Sequence, residues 1–176
     1  MRFARANWRV HHCVAAILAL SPLPAAAAAG HVHGAATLEV ALDAARLSLT
    51  FESPLDNLIG FERAPRSDRE KEAAQRLRQQ FEKAELLFVP TPEARCTREA
   101  VKIDAPVLDG AKSDKAGHAA ISVDVVFRCE RPQALSSLET TIFEPYPRLT
   151  RIDVQVAAAR RQTAARLTPG RRRVAW

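Results

Sequence analysis

Beyond the first 29 residues, the side chains best suited to chemistry are His31, His33, His118, Cys96 and Cys129. His31-Val32-His33-Gly34 places two imidazoles two residues apart. In an extended chain side chains alternate, so both rings point to the same side. Neutral imidazole is the commonest protein ligand for zinc and also suits copper. Two rings fill two positions of a tetrahedral ion, and a third His or a carboxylate must come from elsewhere in the chain. His118 supplies the third His, at the start of an alternating segment and on the parity of Ser122 and Asp124. The carboxylates on offer are Glu39, Glu52, Glu62, Asp114 and Asp124. Against this stands a plainer account, in which His-x-His is a solvated chain end that binds nothing in particular.

What precedes the His pair decides how it is presented. Arg2, Arg5 and Arg9 are followed by the apolar run Cys13 to Leu20, then by Ser21, Pro22 and Pro24, then by Ala25 to Ala29. That order is basic region, apolar region and small-residue cleavage site, so residues 1–29 are expected to be a secretory signal cut near residues 27–30. The apolar run is too short to span a membrane, which takes about 20 residues. The expectation is therefore one exported domain over 30–176, with no membrane insertion of the mature chain. A cut after Ala28 would expose Ala29-Gly30-His31, whose amine, two backbone nitrogens and third-position imidazole suit square-planar Cu(II). Copper is thus a second metal reading beside zinc.

Other classes are disfavoured by what the sequence lacks. There is no G-x-S-x-G, no H-E-x-x-H and no glycine-rich phosphate loop, so an enzyme is not expected. The formal net charge of +6 falls to +3 once the three signal arginines are removed. The late arginines (Arg160, Arg161, Arg166, Arg171, Arg172, Arg173) have no aromatics among them and read as a solvated basic tail, not a nucleic-acid surface. Cys96 and Cys129 remain as an even pair. In an oxidising compartment a disulfide closing a loop of about 33 residues is favoured over two thiolate metal ligands, which would more often come as C-x-x-C.

The elements that position these groups follow from periodicity. Thr37 to Leu42 and Arg46 to Phe51 alternate about the turn Asp43-Ala44-Ala45, a hairpin of half-buried strands. Ser53 to Pro65 reads as a loop carrying Leu55, Leu58, Ile59 and Phe61, which serve either as a core plug or as a partner-docking segment. Ser67-Asp68-Arg69-Glu70 is a capping box, and Ala73, Ala74, Leu77, Phe81, Ala84 and Phe88 predict an amphipathic helix over about 68–88. Further strands are expected over 95–103, 119–128, 138–143, 149–156, 162–167 and 174–176, with one helical turn at Gln133-Ala134-Leu135. The fold class is α+β: a mainly antiparallel sheet of about seven strands with one long helix.

Several of these blocks together resemble a known family. His31-Val32-His33-Gly34, Leu47-Ser48-Leu49-Thr50-Phe51-Glu52-Ser53-Pro54 and Asn57-Leu58-Ile59-Gly60-Phe61-Glu62 are similar to the ZrgA family of exported bacterial zinc-uptake proteins. The likeness continues through Ala64-Pro65, Leu87-Phe88, Cys96, His118, Phe127-x-Cys129, Phe143, Val154-Gln155 and Leu167-Thr168-Pro169. The resemblance implies a periplasmic Zn²⁺-binding accessory protein that hands metal to a zinc-import system. It implies His31 and His33 as leading ligands, His118 as the third, and Glu52 and Glu62 as carboxylate contributors. The chain departs from the family in two places. Arg63 stands where members often carry His after Gly-Phe-Glu, and the loop Asp109 to Gly117 has no His run. Arg does not ligate zinc, so fewer ligands are expected here. The competing class is an interaction module without metal function.

Overall fold

A computed structural model of the protein describes residues 33–111, 119–158 and 161–176. The N-terminal hairpin forms as its alternation requires: β1 (Ala35–Asp43) and β2 (Arg46–Pro54) pair antiparallel from Asp43↔Arg46 to Thr37↔Glu52. Ala44, at φ 51°, takes the left-handed position of the tight turn. β2 then pairs with β5 (Ala120–Cys129), and β5 with β4 (Cys96–Asp104), both antiparallel. On the other side β1 pairs in parallel with β7 (Arg151–Ala158), which pairs antiparallel with β8 (Arg161–Leu167). The result is a six-stranded sheet in the order β4-β5-β2-β1-β7-β8.

This corrects two expectations. The sheet is mixed, because β1 and β7 run parallel, and there are nine described strands in two sheets. The second sheet is small, ordered β3-β6-β9 from Phe88–Pro90, Ser137–Thr140 and Arg173–Ala175.

The helix is also shorter than its apolar spacing predicts. After a one-turn helix α1 (Asp56–Ile59), α2 covers Asp68–Glu82, and the capping box at Ser67 and Glu70 is fully formed. The chain then tightens into a 3-10 turn at Ala84–Leu86 and enters β3. The carbonyls of that turn find hydroxyl donors: Thr141 Oγ1 to Leu86 O at 2.7 Å and Thr140 Oγ1 to Leu87 O at 2.8 Å. At the end of α2 itself the Lys83 amide turns back to Gln80 O, which tightens the last turn.

One face of the large sheet is core. Leu38, Val40, Leu47, Leu49, Phe51, Ile121, Val123, Val125, Phe127, Ile152, Val154 and Val156 are all buried in a single hydrophobic cluster. α2 covers this face through Phe81, whose ring stacks on Phe51 at 5.6 Å and on Tyr146 at 6.1 Å. Burial holds the Tyr146 hydroxyl well above its ordinary pKa, and the hydroxyl donates to Gln80 Oε1 at 2.5 Å. The opposite face carries the alternate residues (Glu39, Ser48, Thr50, Glu52, Asp124, Gln155), which are exposed or half-buried. Cys96 and Cys129 face each other across β4 and β5 and form a disulfide. No helix among the described residues is long and apolar enough to cross a membrane.

Candidate metal centre

The start of β1, the end of β2, the start of β5 and the start of β7 all lie at one end of the large sheet, as the pairings Thr37↔Glu52, Pro54↔Ala120 and Ala35↔Arg151 require. His33 enters the structure at this end. The backbone next to it is held from both sides. Gly34 N donates to Asn57 Oδ1 at 2.6 Å, and Asn57 Nδ2 donates to Ala35 O at 2.8 Å and to Ser53 Oγ at 3.2 Å. Gly34 O accepts from Thr150 N, Arg151 N and Thr150 Oγ1 at 2.9, 3.0 and 2.9 Å. Gly34 has φ +80°, and a Cβ there would lie 2.8 Å from Thr150 Oγ1. Only glycine fits both the left-handed backbone and that approach. The Gly after His33 and the Ser-Pro-x-x-Asn block thus have one task, which is to fix where the His-bearing segment joins the body.

The His33 ring itself is largely exposed, and its Nδ1 lies 3.2 Å from Asp56 Oδ2. Asp56 opens α1, and its other oxygen, Oδ1, accepts from Arg148 Nη1 at 3.4 Å. Sequence reasoning missed Asp56. Its only signal is an acid next to the Asn that anchors the turn.

The other expected ligands fall in different places. His31 and His118 lie outside the described residues, as do Ala29 and Gly30 of the copper reading. The described neighbour of His118, Ala119, has its carbonyl bonded to Leu55 N at 2.9 Å, one residue from Asp56. Glu52 is exposed near the same end, across from Thr37 and Ser122 on the open face. Glu62 is half-buried and its Oε1 is shielded from solvent. Glu39 and Asp124 lie on the open face, where Thr50 Oγ1 donates to Asp124 Oδ1 at 2.9 Å. Among the described residues no three of His, Cys, Asp and Glu are grouped to hold a metal ion. Cys96 and Cys129 are joined to each other and offer no thiolate.

Arg63 has work of its own. Its guanidinium grips Glu70 with two bonds of 3.0 and 2.7 Å and lies 5.3 Å from the centre of the Phe61 ring. Glu70 also accepts from Arg66 N at 2.7 Å and Ser67 N at 3.3 Å. The Arg63 bond, aided by the Arg66 amide, holds the Glu70 carboxyl down at about 2. Arg63 therefore ties the Phe61–Arg63 segment to the first turn of α2. In the neighbouring segment, Leu55 and Leu58 are in the core, with Ile59 and Phe61 half-buried.

No curated protein sequence matches the chain. A family model described as ZrgA family zinc uptake protein matches residues 30–176, the whole span after the Ala-rich segment. Both the His-Gly junction and the Asn57 turn, whose geometry is given above, fall within that match, and the chain belongs to the ZrgA family of zinc uptake proteins.

Proposed function

We propose that this protein is an exported, non-enzymatic zinc-binding accessory protein: it captures Zn²⁺ outside the cytoplasm and passes it to an importer. Residues 1–29 act as the cleaved signal and 30–176 as one periplasmic domain. His31 and His33 are the leading ligands, with His118 and the carboxylates of Glu52 and Glu62 completing the shell. Family membership supports the metal. The observation that carries the assignment to these residues is the His33 ring. It is exposed, its Nδ1 faces a carboxylate, and Nε2 makes no hydrogen bond among the described residues. An imidazole held in this way is suited to metal, because ligating His residues commonly give their second nitrogen to a carboxylate or carbonyl. The segment that carries His118 rejoins the fold at Ala119, at the same end of the sheet. Imidazole must be neutral to ligate, so acidification favours release.

The test is metal content of the untagged, exported protein, followed by Zn²⁺ calorimetry on wild type and on the His31→Ala/His33→Ala double variant. We expect about one Zn²⁺ per chain and loss of most of the affinity in the variant. Undiminished zinc binding in the variant would overturn the ligand assignment.

A further inference from the structure

We propose that Asp56 is the positioning residue of the metal site. Its carboxylate accepts a hydrogen bond from His33 Nδ1–H and so fixes Nε2, with its lone pair, as the nitrogen presented to Zn²⁺. The inference rests on the reading of His33 as a ligand.

The argument starts from donor and acceptor roles. A carboxylate only accepts, so the 3.2 Å contact between Asp56 Oδ2 and His33 Nδ1 requires the proton on Nδ1. In a neutral ring Nε2 is then the acceptor, the form a metal needs. Asp56 is itself held in place. Arg148 Nη1 donates to Oδ1 at 3.4 Å, which leaves Oδ2 for the imidazole. The guanidinium reaches that position by lying over Gly60, the left-handed cap of α1 at φ +84°. A Cβ on Gly60 would stand 3.4 Å from Arg148 Cζ and Nη2. The Gly60 amide also bonds back to Asp56 O at 3.0 Å, closing the turn from which the carboxylate projects. Gly60, Arg148, Asp56 and His33 thus form a relay. The glycine admits the guanidinium, the guanidinium occupies one carboxylate oxygen, and the other oxygen orients the ring. Asp56 is about one-quarter exposed and His33 about two-thirds, so the ordering group is the less solvated of the two. Arg148, a nearby fixed positive charge, is paired with Asp56.

The experiment uses the exported, processed chain. Long-range ¹H–¹⁵N spectra of the metal-free protein report the tautomer of each imidazole. Zn²⁺ affinity is measured against a chelator dye for wild type, Asp56→Ala, Asp56→Asn, His33→Ala and the His33→Ala/Asp56→Ala pair. We expect His33 to carry its proton on Nδ1 in the wild type and to shift toward Nε2–H in Asp56→Ala. We also expect a loss of Zn²⁺ affinity of about ten- to hundredfold for either Asp56 variant, and no further loss from Asp56→Ala once His33 is alanine. Asp56→Asn keeps the side-chain shape and serves if the alanine variant does not fold. An Nε2–H ring in the wild type overturns the proposal. So does unchanged Zn²⁺ affinity in both Asp56 variants while His33→Ala loses binding, a result that leaves His33 as a ligand. If His33→Ala binds Zn²⁺ like the wild type, the ligand reading fails, and the role of Asp56 toward zinc fails with it.

Discussion

Asn57 Oδ1 accepts a hydrogen bond from Gly34 N at 2.6 Å, across 23 positions of sequence. The same side chain satisfies Ala35 O, so one buried carboxamide stands in for the β2 partner that Ala35, paired only with β7, lacks. The backbone beside His33 is therefore placed by a side chain on α1.

Replacing Asn57 by Ala strands the Gly34 amide and the Ala35 carbonyl. Each unmet, part-buried group costs about 1–3 kcal/mol, so a loss of about 2–6 kcal/mol is expected in urea unfolding. A drop in zinc affinity should accompany it, since His33 adjoins the freed backbone. A change under about 0.5 kcal/mol, the size of an ordinary surface substitution, would show that the junction does not depend on this contact.

Gly34→Ala should destabilise by about 1–3 kcal/mol, the usual cost of a non-glycine residue held in the left-handed region, with the Thr150 clash added. Combining it with Thr150→Ala removes the atom 2.8 Å from the new Cβ but not the backbone strain. The pair should therefore recover only part of the loss. Full recovery would mean that the clash alone mattered.

The Arg63–Glu70 bond predicts an acid limb. The Glu70 carboxyl lies at about 2 in the folded protein, against 4.5 for an ordinary Glu. A group whose folded pKa is lowered contributes stability that is fully present above its unfolded value and is lost as pH falls toward the folded one. Unfolding midpoints should therefore decline between about pH 4.5 and pH 2, where Glu70 contributes its share. Arg63→Gln removes the largest cause of the shift and should flatten that part of the curve. An identical profile in the variant would contradict the assignment.

Reducing Cys96–Cys129, or converting both to Ser, should cost about 3–4 kcal/mol for a closed loop of 33 residues. Zinc stoichiometry should stay the same, because a sulfur held in a disulfide is not a thiolate. Metal loss in the double Ser variant would mean that the cross-link also shapes the site.

Much of this architecture was readable from local pattern. The hairpin about Ala44, the capping box at Ser67 and Glu70, the strand leading into Cys129 and the single turn after Pro132 each carry their cause within a few residues. What escaped is non-local. Phe81, Ala84 and Phe88 keep helical spacing and all three are buried, but successively in a helix, a 3-10 turn and a strand. Burial period alone does not reveal such a change, because the hydroxyls that hold the Leu86 and Leu87 carbonyls come from the distant Thr141 and Thr140. The parallel seam between β1 and β7 has no local signature either. At the candidate site His33 was legible as a ligand type, whereas Asp56, its partner, lies 23 residues away and looks like any turn acid.

That seam bears on the order in which the chain can fold. Thr150 meets Gly34 across 116 positions, and β1 sits in the interior of the sheet. For a polypeptide made amino-end first, the β1–β2 hairpin emerges early, but its far edge stays bare until Arg151 to Ala158 arrive. Completion is postponed almost to the last residues. The same delay leaves an exposed ladder of amides and carbonyls that other chains can capture. Chains cut short before β7 should therefore accumulate as aggregates and not as a smaller folded body.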